Sequence, residues 1–445
     1  MTAYKHLDEA RKDALDKLSE VIDAGGIDRA VLIDDLFGKL RVIIWPTPNE
    51  ERGELVDRLS KTMREAGQQF WTNTIWIATD TNEIADQIVY DRSWEAGHEI
   101  TPRLRIDDRH RNRTAWFSLA RDPPWNPRRT RDKTTAPPIV AFLSFKGGLG
   151  RTTALAAFAI QRARSGERVV VIDFDLDAPG VGTLLATDTR GTTAPWGVVD
   201  YLLERPLGEV PLEDYMHRCQ PEITGSGSII VIPAGRVNND YLTKLARVDL
   251  ELGSPTLSVE APLEHPLELL LHQVRKELDP TWILIDARAG LSPAAGLLMS
   301  GFAHLYVLFG TTNEQSFIGL ERMIHHLGAE HLRKGVQAEC VVVHAMVPEN
   351  AAIAEKSKET FRARVEEIFR DHYLVKDDPN EELWSVSDIG NNAEAPLVPV
   401  DIPYSQAIAF FSSITGVADV LCKGPYEDLS VRIQGRFPLI TERDD

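Results

Sequence analysis

From residue 139 onward the chain alternates apolar runs with amphipathic stretches. The runs at 139–145, 168–173, 229–233, 281–286, 304–310 and 339–345 include several with almost no period-two alternation, as expected of strands covered on both faces. Apolar positions at helical spacing predict helices over 152–164, 265–278, 316–328 and 351–370. This order predicts an α/β fold: a doubly wound, mostly parallel sheet with a ligand at the carboxyl ends of its strands. Residues 187–228 fit the rhythm poorly and read as an insertion with its own short helices.

The first 108 residues form a different pattern. Leu7, Ala10, Ala14, Leu18, Val21 and Ile22 recur at helical spacing, and Gly25-Gly26 ends that helix. A strand at 41–45 is stopped by Pro46. A helix follows at 50–66, then a strand at 70–78 and a helix at 82–89. This predicts a separate small N-terminal α/β domain, 1–108, serving as a scaffold or docking module. Residues 109–138 form a Pro/Arg-rich linker in which Arg109, Arg111, Arg113, Arg121, Arg128, Arg129, Arg131 and Lys133 face Asp122 and Asp132. Trp116 and Trp125 lie among these arginines. The segment admits two readings: a solvated linker on an acidic neighbour, or a single-strand nucleic-acid contact over 109–133 that combines stacking with phosphate binding. The main domain is expected over 139–425, with a C-terminal tail at 426–445.

Composition narrows the classes. The 49 basic and 67 acidic residues give a net charge of −18, which argues against general coating of nucleic acid. The chain starts on an amphipathic helix rather than a secretion signal, and no run of 18 apolar residues suggests a membrane span. Cys219, Cys340 and Cys422 lack metal-ligand spacing, so a reducing, cytoplasmic setting is expected. His325, His326 and His331, with Glu321, Glu330 and His344 nearby, match no zinc spacing and read as surface histidines.

The chemistry is concentrated in three segments. Lys146-Gly147-Gly148-Leu149-Gly150-Arg151-Thr152-Thr153 lies between a predicted strand and a predicted helix. Glycines there let backbone N–H groups turn around an anion, and the helix adds its positive end. Asp173, Asp175 and Asp177 follow the next strand at alternate positions, a repulsive cluster unless a cation or solvent compensates it. Asp286 ends a buried-type strand, and Gly290 follows it. Asn238-Asn239-Asp240-Tyr241 could line the mouth of the site or cap a loop.

These segments resemble the deviant P-loop ATPases of the SIMIBI class, the group of MinD, the ParA partition ATPases and the nitrogenase iron protein. That group opens its loop with Lys-Gly-Gly-x-Gly-Lys-Thr-Thr, matched here at Lys146, Gly147, Gly148, Gly150, Thr152 and Thr153, with Arg151 at the second lysine. Its Asp-x-Asp segment matches Asp173 and Asp175, and its Asp-x-x-x-Gly segment matches Asp286 and Gly290. Ile232-Pro233-Ala234-Gly235 and Val400-Asp401-Ile402-Pro403-Tyr404 are looser echoes, and the match spans about 139–420. The resemblance implies ATP and Mg²⁺ as cofactors. Loop residues 146–153, including Leu149 and Thr153, would hold the phosphates, and Pro403 would lie beside the adenine. Thr152 and Asp286 would hold Mg²⁺, with Asp173 in the metal environment. Asp175 would orient water, and Lys146 would reach a partner's phosphates in a nucleotide-dependent homodimer.

Arg151 leaves two readings open, an active ATPase with a tolerated arginine or a binding-only switch. The expected function is an ATP-hydrolysing dimerisation switch that controls a protein partner through residues 1–108. The alternatives are a weakly hydrolysing, nucleotide-gated module of a bacterial defence or signalling system, and a nucleic-acid-associated partition-type ATPase. No membrane partner is expected, and without a Cys-x-x-Cys pair cluster delivery is disfavoured.

Overall fold

The computed structural model describes all residues except 1–4, 49, 79–83, 110–122, 128–135, 187–193, 253–264, 335–336, 377–382 and 439–445. Of the basic segment, Arg111, Arg113, Trp116, Arg121, Arg128, Arg129, Arg131 and Lys133 fall outside the described residues. The chain divides into two compact units, Met1–Ser118 and Leu119–Asp445.

The first unit carries strands β1 (Ile27–Asp34), β2 (Leu40–Pro46), β3 (Trp71–Ile77), β4 (His98–Thr101) and β5 (Leu104–Asp108), in the order β3-β2-β1-β5-β4. The helices Leu7–Asp23 and Arg52–Gly67 bury Ala14, Leu18, Leu55, Leu59 and Met63 against Leu32, Val42 and Ile44 of the sheet. Those helix positions are three or four apart, so each helix turns one apolar stripe inward. The pattern missed β1, β4 and β5. Asp28 and Arg29 break the apolar run at the start of β1, and β4 and β5 mix charged with apolar positions.

The second unit has an eight-stranded sheet. Its members are β6 (Ile139–Ser144), β7 (Arg168–Phe174), β8 (His217–Arg218), β9 (Ser228–Ile232), β10 (Trp282–Ala287), β11 (Leu305–Gly310), β12 (Glu339–Val347) and β13 (Val400–Pro403). Their order is β13-β12-β11-β6-β10-β7-β9-β8, and every pair is parallel except β8 with β9. Strands β6, β7, β10 and β11 are apolar along most of their length and buried, as a sheet covered on both faces requires. The chain runs from β6 to β7 on one side and places β11 on the other, so the topology reverses beside β6 and opens a crevice at its carboxyl end. The predicted α/β class is the one observed.

Several elements escaped the pattern. The two-residue β8 and the four-residue β13 are too short to show a period. Asn239–Leu252 is a helix, and Asn238 Oδ1 caps it by accepting from the N–H groups of Asp240 and Tyr241. The expected tail from 426 begins in the helix Pro425–Gly435, which places Leu429 and Ile433 in the main core.

At the opposite end of β6, His304 Nδ1 accepts from Ile139 N–H at 2.8 Å while Nε2 donates to the Trp125 carbonyl at 2.5 Å. These bonds suit the neutral ring, and burial pushes its pKa down to about 4. Trp125 is buried, gives its Nε1–H to Pro137 O and carries the Arg275 guanidinium over its ring. Its ring is therefore engaged within the fold rather than offered for base stacking. Among the described residues no helix is long and apolar enough to cross a membrane.

Candidate nucleotide site

The glycine loop follows β6 and runs into the helix Arg151–Arg164. Gly148 and Gly150 have φ of 77° and 79°, a left-handed conformation that side chains rarely adopt. Gly150 is the residue before the helix and accepts from Ala154 N–H through its carbonyl, so the free N–H groups of the first turn face the loop. The loop borders a cleft of about 770 Å³. The cleft is lined by Gly147 to Thr153, with Ser144, Asp175, Asp177 and Arg288, and also by Met346, Ile402, Pro403, Tyr404, Phe411 and Tyr426.

Sheet register sets the acidic groups. Asp286 on β10 pairs with Asp173 on β7, which brings two buried carboxyls side by side. Asp173 Oδ2 accepts from the N–H groups of Gly180 and Gly182, and Oδ1 from that of Asp175. Burial, and then the Asp286 charge, push the Asp173 carboxyl up to about 8 against those donors. Asp173 is not among the residues lining the cleft. Asp177 is ion-paired with Arg288 at the rim.

Arg151 organises the rest. Its side chain is buried, with Nε donating to Asp286 Oδ1 at 2.7 Å and Nη2 to Asp175 Oδ2 at 2.8 Å. Nη1 lies 3.4 Å from Ser144 Oγ. Burial opposes the charge, but Asp286 and Asp175 outweigh it and hold the guanidinium pKa above its usual value. Thr152 Oγ1 donates to the other Asp286 oxygen at 2.7 Å. Asp286 is thus gripped by two successive residues of one helix turn. Burial raises its carboxyl above the usual range, while Arg151 and Thr152 pull against that shift.

The fold therefore gathers Gly147, Gly148, Leu149, Gly150, Arg151, Thr152, Thr153, Asp175 and Pro403 around one cleft, with Asp286 directly behind it. Lys146 stands exposed at the front of the loop and is not among the cleft-lining residues. Asn238 and Tyr241 serve the fold instead, since Tyr241 is buried and donates its hydroxyl to Leu176 O at 2.6 Å. Sequence reasoning missed Ser144, Met346, Phe411 and Tyr426. Arg288 had a faint signal, two residues after a strand-end aspartate.

The model of the CobQ/CobB/MinD/ParA nucleotide binding domain matches residues 140–366, half of the chain. The chain belongs to this family. Its second unit is a ParA/MinD-like P-loop domain of the SIMIBI class. No curated protein matches the sequence. Among solved structures, pNOB8 ParA bound to nonspecific DNA is 17% identical, with 67% of this chain and 98% of that one covered and a TM-score of 0.41. The cell division ATPase MinD of Pyrococcus furiosus is 18% identical, with 67% and 98% covered and a TM-score of 0.40. A putative plasmid partition protein of Borrelia burgdorferi B31 bound to AMPPNP is 12% identical, with 68% and 99% covered and a TM-score of 0.40.

The donor set suits a magnesium-assisted nucleotide site. Mg²⁺ prefers one or two carboxylates together with phosphate oxygens and water. Thr152 Oγ1 and Asp286 supply a hydroxyl and a carboxylate beside the loop. Among the described residues no group of three or more His, Cys, Asp and Glu side chains forms a metal cage.

Proposed function

We propose that this protein is a nucleotide-gated interaction module that binds ATP with Mg²⁺ and hydrolyses it slowly. The observation that carries the reading is the buried clamp of Arg151 on Asp175 and Asp286. Asp175 is the residue assigned to orient water, and Asp286 the one assigned to the metal. Both are held by a guanidinium that stays charged at any ordinary pH. A triphosphate offers Arg151 a second anionic partner of matching fork geometry. The bound nucleotide leaves the clamp closed until an exchange in which Arg151 turns its donors from carboxylate to phosphate and the carboxylates are released. Turnover requires that exchange, and two buried charge-assisted bonds oppose it.

Thr152 Oγ1 and Asp286 would hold Mg²⁺, which neutralises charge on the phosphate oxygens. The backbone N–H groups of 147–152 cradle the phosphates, and the apolar lining with Pro403 and Tyr404 receives the base. Asp173, held by backbone donors, supports the metal environment from behind. Lys146, which is exposed, would reach the phosphates of a second copy in a nucleotide-dependent homodimer. Residues 1–108 form a docking module that passes the bound state to a protein partner. The test combines calorimetric ATP binding with steady-state turnover of the wild type and Arg151→Lys. Saturable, Mg²⁺-strengthened binding with slow turnover that rises in the lysine variant supports the module. Fast wild-type turnover would replace it with an active ATPase switch, and absence of binding would remove the nucleotide reading.

A further inference from the structure

Two histidines that sequence spacing could not connect meet on the surface of the second unit. His325 lies on the helix Glu314–Lys334, and His372 ends the helix Ala351–His372. Their Nδ1 atoms are 3.3 Å apart, with the rings nearly perpendicular at 88°. Tetrahedral coordination with Zn–N bonds of about 2.0–2.1 Å places two nitrogen ligands roughly 3.3–3.4 Å apart. In this structure the two Nδ1 atoms share a hydrogen bond at that distance, and an ion that displaced the shared proton would find a separation matching that bite. On the far side of the His372 ring, Nε2 lies 3.6 Å from Glu321 Oε1, just beyond hydrogen-bond reach, with Glu321 one helical turn before His325. A carboxylate behind a ligating imidazole is the usual outer partner, fixing ring orientation and raising ligand basicity.

The backbone is shaped for this meeting. Gly328 lies one turn beyond His325, and a Cβ there would overlap the His372 carbonyl oxygen. The missing side chain lets the two helices touch where the rings face each other. His372 also occupies a helix's last turn, where the dipole favours a cation. Arg322 lies beside His325 and opposes a cation, and Glu321 offsets it.

We propose that His325 and His372 form a two-histidine site for a divalent transition ion of the zinc class, clamping these helices together. Glu321 is a positioning residue acting through His372, and water fills the remaining coordination positions. Imidazole nitrogen suits zinc, copper and nickel, so Zn²⁺ and Co²⁺ are the appropriate probes.

The experiment uses the full chain, stripped by chelator and dialysed, with excess Mg²⁺ present to occupy the nucleotide site. Zn²⁺ is titrated by calorimetry, and Co²⁺ is followed by visible absorption. The proposal predicts one saturable site, lost in His325→Ala and in His372→Ala with unchanged circular dichroism. Glu321→Gln should weaken it by about 10- to 100-fold, the usual outer-partner effect. His98→Ala, in the other unit, should leave the isotherm intact. No saturable isotherm, or one unchanged in either His325→Ala or His372→Ala, would overturn the site.

Discussion

Replacing Arg151 with methionine removes the clamp's charge while keeping much of its volume. Asp286 is fully buried and would keep Thr152 Oγ1 as a donor, and Asp175 would lose its guanidinium partner. Removing one partner of a buried ion pair costs about 3–5 kcal/mol. The cost has a ceiling, because an uncompensated carboxylate takes a proton. Neutralising one carboxyl of ordinary pKa near 3.9 costs about 1.4 kcal/mol per pH unit, or roughly 5 kcal/mol at pH 7.5 and roughly 2 kcal/mol at pH 5.5. The sign follows. Without Arg151 the folded-state pKa of Asp286 rises further above its unfolded value. The folded variant then binds a proton that the unfolded chain releases, so its stability falls as pH rises. We expect a loss of about 3–5 kcal/mol at pH 7.5 and no more than about 2 kcal/mol at pH 5.5. Urea unfolding without Mg²⁺ measures it, reading the transition that ATP shifts in the wild type so that the nucleotide-binding unit is identified. A loss below about 1 kcal/mol at pH 7.5, or an equal loss at both pH values, would show that the Arg151 clamp does not hold these carboxylates charged.

His304 gives a second pH effect. Its folded pKa of about 4 lies below the unfolded value, so its contribution is complete above about pH 6.5 and is lost as pH falls toward 4, by roughly 3 kcal/mol. His304→Gln should flatten that part of the stability profile, and an unchanged profile would show that another group titrates. Thr152→Ala should remove the Mg²⁺-dependent part of ATP binding, and equal losses with and without the ion would exclude the hydroxyl as a ligand. A Cβ at Gly319 would overlap the Phe145 side chain at the entry to the glycine loop. Gly319→Ala should therefore weaken ATP binding measured by calorimetry, and full retained affinity would show that Phe145 moves at no expense to the loop. Lys146→Ala should bind ATP as a monomer in sedimentation, whereas an ATP-dependent dimer would remove its role across the subunits.

The main sheet was legible because β6, β7, β10 and β11 are apolar on both faces and each begins or ends near a glycine, proline or aspartate. The loop and the strand-end aspartates could be read because their chemistry is local in sequence. What escaped was long-range. Tyr426 and Met346 reach the cleft from distant segments with no motif of their own. The clamp itself joins residues 24 and 135 positions apart, and Arg151 alone did not reveal that it would turn to carboxylates. The N-terminal hairpin of β4 and β5 mixes charge into its strands, so its period was hidden.

Arg151 is proposed to restrain hydrolysis by holding Asp175 and Asp286. A single-turnover experiment tests it most directly. ATP is mixed with excess protein and Mg²⁺, quenched over time and resolved into ATP and ADP. Wild type and Arg151→Lys are compared at protein concentrations that saturate binding in both. The wild type should keep bound ATP intact at least about tenfold longer, a difference of about 1.4 kcal/mol in barrier. Equal rates, or slower hydrolysis in the lysine variant at equal occupancy, would contradict it.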